Sequence, residues 1–430
     1  MTKIESEVFN FNNLGIAPRI LDLLQQWKFH QPTPIQAKSI PIAIEGKDLV
    51  GIAQTGTGKT LAFGIPLIQR LTQVGGKGLI LLPTRELASQ VESSLRNIAS
   101  NMGLRTAVII GGESKNIQLK SLRRNPHIII ATPGRLIDHI KSGSIKLHEI
   151  KILVLDEADL MFDIGFAPQI AEIMKSVPAD KQTMLFSATM PPAIMSLVAK
   201  NMKLPVNIEV APAGTPAEKV VHEMIVIKKE DRAIQLNKIL KTYKGSVLIF
   251  CRTKHAVKKL TISLRNTGQT VAEIHSNRSL NQRSAALKSF KTGRVRILVA
   301  TDIAARGIDV KGIELVLNYD LPENAEDYVH RIGRTGRAGM AGQAISFVSP
   351  TEMRAVKNIE QIIKKTIPLT KLAEPDYTSA PTRGRNRRSG GYHGHSKPIG
   401  NYRRDSRGGQ HQKFNRDKKF NKNGNRRKSY

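Results

Sequence analysis

Eight residues constrain the fold of this 430-residue chain more than any other stretch: Ala53-Gln54-Thr55-Gly56-Thr57-Gly58-Lys59-Thr60. They fit the pattern of a glycine, any four residues, then Gly-Lys-Ser/Thr, if Ala53 stands in for the first glycine. Gly56 and Gly58 let successive backbone N–H groups point inward at phosphate oxygens, and a helix starting near Lys59 adds its positive end. In such a loop Lys59 can reach the terminal phosphates and Thr60 can place its hydroxyl on a magnesium ion.

The flanking residues put this loop in the setting that phosphate binding requires. Residues 48–52 form a short apolar run that predicts a buried strand, and residues 61–68 predict the start of a helix. The alternative interpretation is an ordinary glycine-rich turn. Because the loop lies directly between a predicted strand and a predicted helix, the sequence favours a phosphate-binding loop.

Composition narrows the class of protein. The length predicts two domains or more, and the formal net charge of +32 predicts a polyanionic partner, either nucleic acid or an anionic membrane surface. The first residues are polar and mixed in charge, unlike a signal peptide, and no run approaches the roughly 18–20 apolar residues that span a bilayer. The single cysteine, Cys251, lies in an apolar run and predicts a buried thiol, and the eleven histidines show no metal-binding spacing. We therefore expect a soluble, cytoplasmic protein.

Four more apolar runs follow the loop, with helix-like stretches between them, at residues 78–82, 127–130, 151–155 and 183–186. Continuous apolar runs are typical of a parallel sheet that is covered on both faces. Each run ends in or just before a polar cluster: Pro83–Leu87, Thr132–Arg135, Asp156–Asp159 and Ser187–Thr189. Ligands of open α/β sheets bind beyond the carboxyl ends of the strands, so we expect these clusters to share one edge of one sheet.

Two residues of the cluster Asp156–Asp159 lead to a specific chemical prediction. Asp156, at the end of an apolar run, can hold magnesium opposite the phosphate loop. The adjacent Glu157 can orient or deprotonate an attacking water. The alternative is a solvated acidic helix start, since acidic residues favour that position.

A proline-rich segment precedes the loop and contains Phe29, Pro32, Pro34 and Gln36. The two prolines hold the backbone in a fixed shape. A glutamine amide offers a donor and an acceptor that can pair with an adenine edge, and Phe29 can stack on the base. A rigid turn with a surface glutamine is the alternative.

A second α/β domain is predicted after residues 205–216, whose three prolines and one glycine are typical of an interdomain linker. Its predicted strands cover residues 221–227, 246–251, 271–274, 296–300, 313–318 and 344–348, with helices at 232–240 and 255–264. It contains no phosphate loop of its own. We place the N-terminal segment at 1–37, the first domain at 38–210, the linker at 211–218, the second domain at 219–370 and a tail at 371–430.

The second domain has a basic cluster in which Arg331, Arg334 and Arg337 recur every three residues. A solvated basic face is one interpretation. The other is that they are arginine fingers, which the second domain inserts toward a nucleotide held by the first.

The tail differs from the rest of the chain in composition. Residues 381–430 contain sixteen Lys or Arg, two Asp and Ile399 as their only Val, Ile, Leu or Met. Such a segment cannot bury a core, so we expect it to be disordered. Five aromatic residues are spaced through it, which suits stacking and phosphate contact on single-stranded nucleic acid, whereas a solubilising tail is the alternative.

The motifs in their order resemble those of the DEAD-box RNA helicases over about residues 9–350. The set comprises Phe29 with Gln36, then AQTGTGKT, PTREL, TPGR, DEAD, SAT, ATDIAARGID and HRIGRTGR. The flanks, with residues 11–16 and a short basic tail, resemble the bacterial RhlE-type branch. The resemblance implies an α/β fold of two tandem RecA-like parallel-sheet domains, with ATP and Mg²⁺ between them and RNA across both.

The resemblance also assigns roles to residues of this chain. Those implied to bind ATP are Phe29, Gln36, Ala53, Gln54, Thr55, Gly56, Thr57, Gly58, Lys59, Thr60 and Asp309, and those implied to bind Mg²⁺ are Thr60 and Asp156. Those implied to act in hydrolysis and its coupling to unwinding are Lys59, Asp156, Glu157, Ser187, Thr189, His330, Arg334 and Arg337. Those implied to touch RNA are Thr84, Arg85, Gly112, Thr132, Arg135, Arg252, Thr253 and Thr301.

The chain departs from the family pattern at three positions. Lys28 stands where a glycine usually precedes the aromatic, Ser276 replaces the glycine after His275, and Leu280 replaces a glutamine three residues before Arg283. The Leu280 departure argues against a Gln–Arg contact there and bears on how strongly the domains close.

Two functions fit these features. The first is an ATP-driven helicase that melts short RNA duplexes and remodels RNA or RNA–protein complexes, with single-stranded and short duplex RNA as partners. The second is an ATP-gated RNA clamp or annealing factor without productive unwinding. A membrane role has no amphipathic helix to support it. Ribosomal precursors and the RNA-decay machinery are both compatible as partners.

Overall fold

The structure, a computed structural model, describes residues 10–54, 56–210, 220–305, 310, 312–336 and 342–371. Two parallel sheets of seven strands each form the framework, and both lie in one compact unit of the chain. This confirms the predicted α/β fold of two tandem RecA-like sheets. The predicted disorder of the tail concerns residues 372–430, which lie outside the described residues.

The first sheet has the strand order β3-β4-β2-β5-β6-β1-β7. Its strands are β1 Leu49–Ile52, β2 Lys77–Leu81, β3 Thr106–Ile109, β4 Ile128–Ala131, β5 Ile150–Leu155, β6 Gln182–Ser187 and β7 Val206–Glu209. Its helices are α1 Pro18–Gln26, α2 Pro34–Ile44, α3 Lys59–Val74, α4 Arg85–Asn101, α5 Lys115–Arg123, α6 Pro133–Lys141, α7 Ala158–Asp163, α8 Ala167–Ser176 and α9 Pro192–Asn201, and a 3₁₀ turn covers Phe11–Asn13.

The second sheet repeats this architecture with the order β10-β11-β9-β12-β13-β8-β14. Its strands are β8 Val220–Val226, β9 Val247–Phe250, β10 Val271–Ile274, β11 Ile297–Ala300, β12 Leu315–Asn318, β13 Gly342–Val348 and β14 Leu369–Lys371. Its helices are α10 Arg232–Thr242, α11 Lys254–Asn266, α12 Leu280–Lys291, α13 Asp302–Ala305, α14 Ala325–Ile332 and α15 Met353–Ile363, and a 3₁₀ turn covers Pro350–Glu352.

Both faces of each sheet are buried, which explains the continuous apolar runs. Successive residues of a strand point to opposite faces, and β4 shows the consequence. Ile128 and Ile130 join the core on one face of the first sheet, whereas Ile129 and Ala131 join the core on the other. Every strand predicted from an apolar run begins and ends within two residues of an observed strand.

The interpretation of residues 205–216 as a linker is wrong for residues 206–209, and the predicted linker limits 211–218 lie outside the described residues. Residues 206–209 form β7, which pairs in parallel with β1, and the Val206 N–H donates to the Asp48 carbonyl at 2.9 Å. As an edge strand, β7 has a neighbour on one side only and tolerates the prolines that flank it. Within the described ranges, no helix is long and apolar enough to cross a membrane.

Candidate active site

The phosphate loop joins β1 to α3, as the sequence predicts. Gly56 and Gly58 have φ of 89° and 94°, a left-handed conformation that glycine adopts without steric cost. Gly58 is the N-cap of α3, so the positive end of this sixteen-residue helix faces the loop. Ala53 is buried, its φ is not positive, and its N–H donates to the Ser187 carbonyl at 2.9 Å. An alanine therefore serves in place of the motif's first glycine.

Under the loop, Lys59 Nζ pairs with Glu157 Oε1 at 3.0 Å, and both side chains are 5% exposed. Burial alone would raise the pKa of Glu157, but Lys59, with smaller contributions from Arg334 and His330, holds it at about 2. Burial raises the pKa of Asp156 to about 7, and the nearby Glu157 and Asp159 carboxylates add to that shift against the opposing charge of Lys59. Glu157 is therefore an ionised base beside a carboxyl whose pKa lies well above its ordinary value.

The charge balance of this cluster fits a divalent cation. Asp156, Glu157 and Asp159 are all buried. Burial lowers the pKa of Lys59, but the charges of these three carboxylates raise it above its ordinary value. Around no point of the described structure do three or more acidic, histidine or cysteine side chains converge as a complete metal cage. Mg²⁺ keeps several waters and uses one or two carboxylates together with substrate phosphates, so buried carboxylates beside a phosphate loop suit it.

Asp159 is a residue of the site to which the sequence analysis assigned no role. Its Oδ2 accepts the backbone N–H groups of Ala188 and Thr189 at 3.1 and 3.0 Å and the Thr189 hydroxyl at 3.1 Å. The Asp159 N–H in turn donates to the Ser187 hydroxyl at 3.1 Å. The cluster at the end of β5 is thus tied to the cluster at the end of β6. In the sequence, the only sign that Asp159 belongs to the site was its position within the polar cluster Asp156–Asp159.

Gln36 contacts the phosphate loop itself. Its Oε1 accepts the Thr33 N–H at 3.0 Å as part of a capping box of α2, and its Nε2 donates to the Gly58 carbonyl at 3.0 Å. The side chain is buried, unlike the surface glutamine of the alternative interpretation. Phe29 is 46% exposed and lies edge-on to Trp27 with ring centroids 6.5 Å apart, so its ring has an open face.

Arg331 is not an arginine finger, so that interpretation of the three arginines does not hold for Arg331. The side chain is 2% exposed. Its Nε and Nη2 donate to Asp302 Oδ1 and Oδ2 at 2.5 and 2.7 Å, and its guanidinium lies 5.1 Å from the ring centroid of Phe250. These contacts tie α14 to the second sheet, so this arginine holds the fold.

His330 lies in α14 and Arg334 just after it, on the side of the second sheet, yet both influence a residue of the first sheet's site. Both residues help Lys59 to keep the pKa of Glu157 low. Both line a cavity of about 620 Å³ that Gln54 and Thr189 also line. Residues of the two sheets therefore converge on one site. Thr55, Asp309 and Arg337 lie outside the described residues.

The RNA candidates of the first sheet form one connected group. Thr84 and Thr132 are the N-cap residues of α4 and α6. Gly112 has φ 76°, and a Cβ built there would lie 2.0 Å from Arg85 Nη1, so Arg85 lies directly over this glycine. Arg135 Nη1 donates to the Glu113 carbonyl at 2.9 Å and to Gln118 Oε1 at 3.1 Å. Gln118 is buried and was missed, since no motif contains it.

Positive charge is concentrated on this group. Burial lowers the pKa of Arg85, and the charges of Arg283 and Arg135 lower it further, although Glu86 opposes them. Such repulsion between cations is relieved by a polyanion. Across the sheets, Arg283 Nη2 pairs with Glu86 Oε1 at 2.9 Å, and Leu280 packs against the first sheet's core.

The RNA candidates of the second sheet follow β9 and β11. Arg252 Nη2 donates to the Leu321 carbonyl at 3.2 Å and to Glu352 Oε1 at 3.0 Å, and the residue is exposed. Thr253 caps α11 by accepting the Ala256 N–H at 3.1 Å. Thr301 follows β11 and is partly exposed.

Comparison with known proteins agrees with this geometry. Residues 33–197 match the DEAD/DEAH box helicase model, and residues 229–339 match the helicase conserved C-terminal domain. The chain is 40% identical over 363 residues to the ATP-dependent rRNA helicase RRP3 of Debaryomyces hansenii, covering 84% of this chain and 76% of that one. It is 41% identical over 358 residues to the ATP-dependent RNA helicase CshA of Listeria monocytogenes, covering 83% and 69%. Among solved structures, S. cerevisiae Dbp5 bound to RNA and ADP BeF3 matches with a TM-score of 0.75 at 30% identity, over 84% of this chain and 95% of that one.

Proposed function

Since this chain belongs to the DEAD/DEAH box helicase family and is an ATP-dependent RNA helicase, we propose which of its residues bind ATP, which hold Mg²⁺ and which bind RNA. Lys59 and the loop N–H groups bind the ATP phosphates, Phe29 and Gln36 bind the adenine, and Thr60 and Asp156 hold Mg²⁺. When bound, Mg²⁺ neutralises charge on the phosphates. The RNA candidates of both sheets bind the RNA backbone.

One observation carries this proposal. Glu157 pairs with Lys59, which keeps it ionised, and it also interacts electrostatically with His330 and Arg334, which lie on the side of the second sheet. An ionised carboxylate can orient and accept a proton from water, and a fixed guanidinium stabilises negative charge that develops on phosphate. Asp309 and Arg337 would add a ribose contact and a second finger. Because these groups belong to different parts of the chain, bound RNA would hold them together and so stimulate hydrolysis.

Substitution of Glu157 tests this assignment. We expect Glu157→Gln to bind ATP and RNA, to hydrolyse ATP at least about a hundredfold more slowly, and to remain on RNA longer, because the base is lost and the binding residues are kept. Lys59→Ala serves as the matched variant that should lose ATP binding as well. Turnover of Glu157→Gln at the unaltered rate would contradict the assignment. A strand-displacement assay of the unaltered protein separates unwinding from an ATP-gated clamp, which would hydrolyse ATP without displacing a strand.

We also propose the domain limits 38–210 and 219–371, on the basis of the two sheets and with the second domain extended by one residue to the end of β14. The name of the RRP3 relative supports ribosomal precursors as the RNA partner ahead of the RNA-decay machinery. The RhlE-type branch and a cytoplasmic location remain proposals that rest on the flanking sequence and on the single cysteine.

A further inference from the structure

A cavity of about 720 Å³ lies at the edge of the first sheet opposite to the candidate active site. Its walls come from the end of α3 and from the loops that lead into β1, β5, β6 and β7. A strand rises about 3.3 Å per residue, so the length of β6 separates this cavity from the Ser187 cluster by roughly 15–20 Å. None of the residues assigned above to ATP or RNA lines it.

The cavity is strongly basic. Two carboxylates line it, Asp48 and Asp180, against five cations: Lys47, Arg70, Lys151, Lys181 and Lys203. The Asp48 carboxylate is already occupied, since it accepts the N–H groups of Thr183 and Lys203 at 2.7 Å each.

Part of this positive charge is uncompensated. Lys47 pairs with Glu45 and Lys203 with Asp180, but Arg70, Lys151 and Lys181 form no ion pair with any described residue. Burial lowers the pKa of Lys181, and Lys203 lowers it further although Asp48 opposes. A ligand that brings carboxylates would relieve this repulsion.

Arg70 is positioned as a fixed receptor for such a group. Its Nη1 donates to the Ile44 carbonyl at 3.0 Å, and the guanidinium lies where a side chain at position 46 would be. A Cβ built on Gly46 would meet it at 2.6 Å, so glycine at this position makes room for the arginine. Burial lowers the pKa of Arg70.

The rim of the cavity adds an apolar component. Leu204 is 96% exposed and Val74 is 47% exposed. Leu204 also has φ 43°, a left-handed conformation that is strained for a leucine. Packing within the described structure does not offset this strain, because the Leu204 side chain is exposed. Backbone strain and exposed aliphatic side chains are both typical of functional surfaces.

We propose that this cavity binds an acidic segment of a partner protein that also carries an aliphatic side chain. The partner's carboxylates pair with Arg70, Lys151 and Lys181, and its aliphatic side chain packs on Leu204 and Val74. RNA would use the cations but would leave the two aliphatic side chains in water, so the surface fits an acidic peptide better.

The test measures binding of a fluorescein-labelled peptide of glutamates around a central leucine to the full chain. Saturating single-stranded RNA and AMP-PNP are present, so that the RNA-binding surfaces are occupied. We expect K151E/K181E to weaken peptide binding about tenfold or more, because two attractions become repulsions. K258E/K259E is the matched control, since it removes the same charge from the exposed face of α11 and should change binding less than about twofold. RNA-stimulated ATPase should be unchanged in both variants.

A second comparison tests the apolar component and does not depend on the charge variants. Replacing the peptide's leucine by serine should weaken its binding to the unaltered protein several-fold, and should have a smaller effect on Leu204→Gly, in which only Val74 remains. Equal losses in the two charge-reversed variants would overturn the proposal, as would equal binding of the leucine and serine peptides. A selective loss of RNA affinity in K151E/K181E would make the surface an RNA site, and a change in sedimentation would make it a self-association face.

Discussion

At the scale of single residues, the departure at Lys28 has a structural cost. The family pattern has a glycine at this position, and Lys28 has φ 61°. The left-handed conformation costs a residue with a Cβ about 1–2 kcal/mol, whereas glycine adopts it freely. The side chain is exposed, so it gains little packing in return.

We therefore expect Lys28→Gly to raise the free energy of unfolding by up to about 1 kcal/mol, since glycine's extra unfolded-state entropy offsets part of the relief. Urea unfolding of the full chain measures this change. Lys28→Ala keeps the Cβ and should show no gain. A glycine variant less stable than the alanine variant would show that the backbone here is not strained.

Asp156 leads to a prediction about protons. Its pKa is raised to about 7, above its ordinary value of 3.8, so proton binding favours the folded ligand-free protein and this contribution is lost as pH rises through about 7. A Mg²⁺ ion needs the deprotonated carboxylate, so binding of preformed Mg·ATP near pH 7 should release part of a proton. Calorimetry in two buffers of different ionisation enthalpy measures this release. It should be absent in Asp156→Asn, and equal heats in both buffers for the unaltered protein would refute the prediction.

At the scale of elements, α12 links the two sheets through its first turn. Arg283 pairs with Glu86 of α4, and Leu280 packs against the core of the first sheet. The leucine that replaces the family's glutamine thus supplies an apolar contact between the sheets. Leu280 therefore replaces a polar contact between the two sheets by an apolar one.

Leu280→Gln should weaken closure of the two sheets. Loss of a partly buried leucine contact is worth about 1 kcal/mol, so the RNA concentration for half-maximal ATPase should rise about fivefold. Leu280→Met keeps the apolar volume and should change it little. Steady-state ATPase over a range of RNA concentrations measures both, and an unchanged half-maximal concentration for Leu280→Gln would mean that this contact does not contribute to closure.

At the scale of the whole molecule, the ATP chemistry and much of the positive charge lie in different parts of the chain. Every residue assigned to ATP lies before residue 376, whereas residues 381–430 carry sixteen Lys or Arg. Deleting residues 376–430 should leave ATPase at saturating RNA nearly unchanged and should raise the RNA concentration needed. Phosphate contacts carry no sequence information, so discrimination between RNA sequences should not change.

The salt dependence of binding distinguishes an RNA-binding tail from a solubilising one. Each phosphate contact contributes about 0.7 to the slope of log affinity against log salt on single strands. If about five of the tail's basic residues touch RNA, the slope should fall by about 3–4 on deletion. An unchanged slope would make the tail a solubiliser, and a loss confined to one structured RNA would make it a specific recognition element.

The sequence by itself determined the two-sheet α/β fold and most of its strands, although it did not predict β3, β7 and β14. These features are local: residues of β4 alternate between two cores, and Gly56, Gly58 and Lys59 are adjacent in the chain. Their spacing therefore carries the information directly.

Only the tertiary structure decided which residues of the same type have structural roles and which lie at the candidate active site. Arg331 and Arg334 are three positions apart on one motif, yet Arg331 is held by Asp302 whereas the charge of Arg334 acts on Glu157. Residues 206–209 are a strand because β1 offers them a free edge. Each of these outcomes depends on partners distant in the chain, whose positions are set by packing of the whole molecule and not by local propensity.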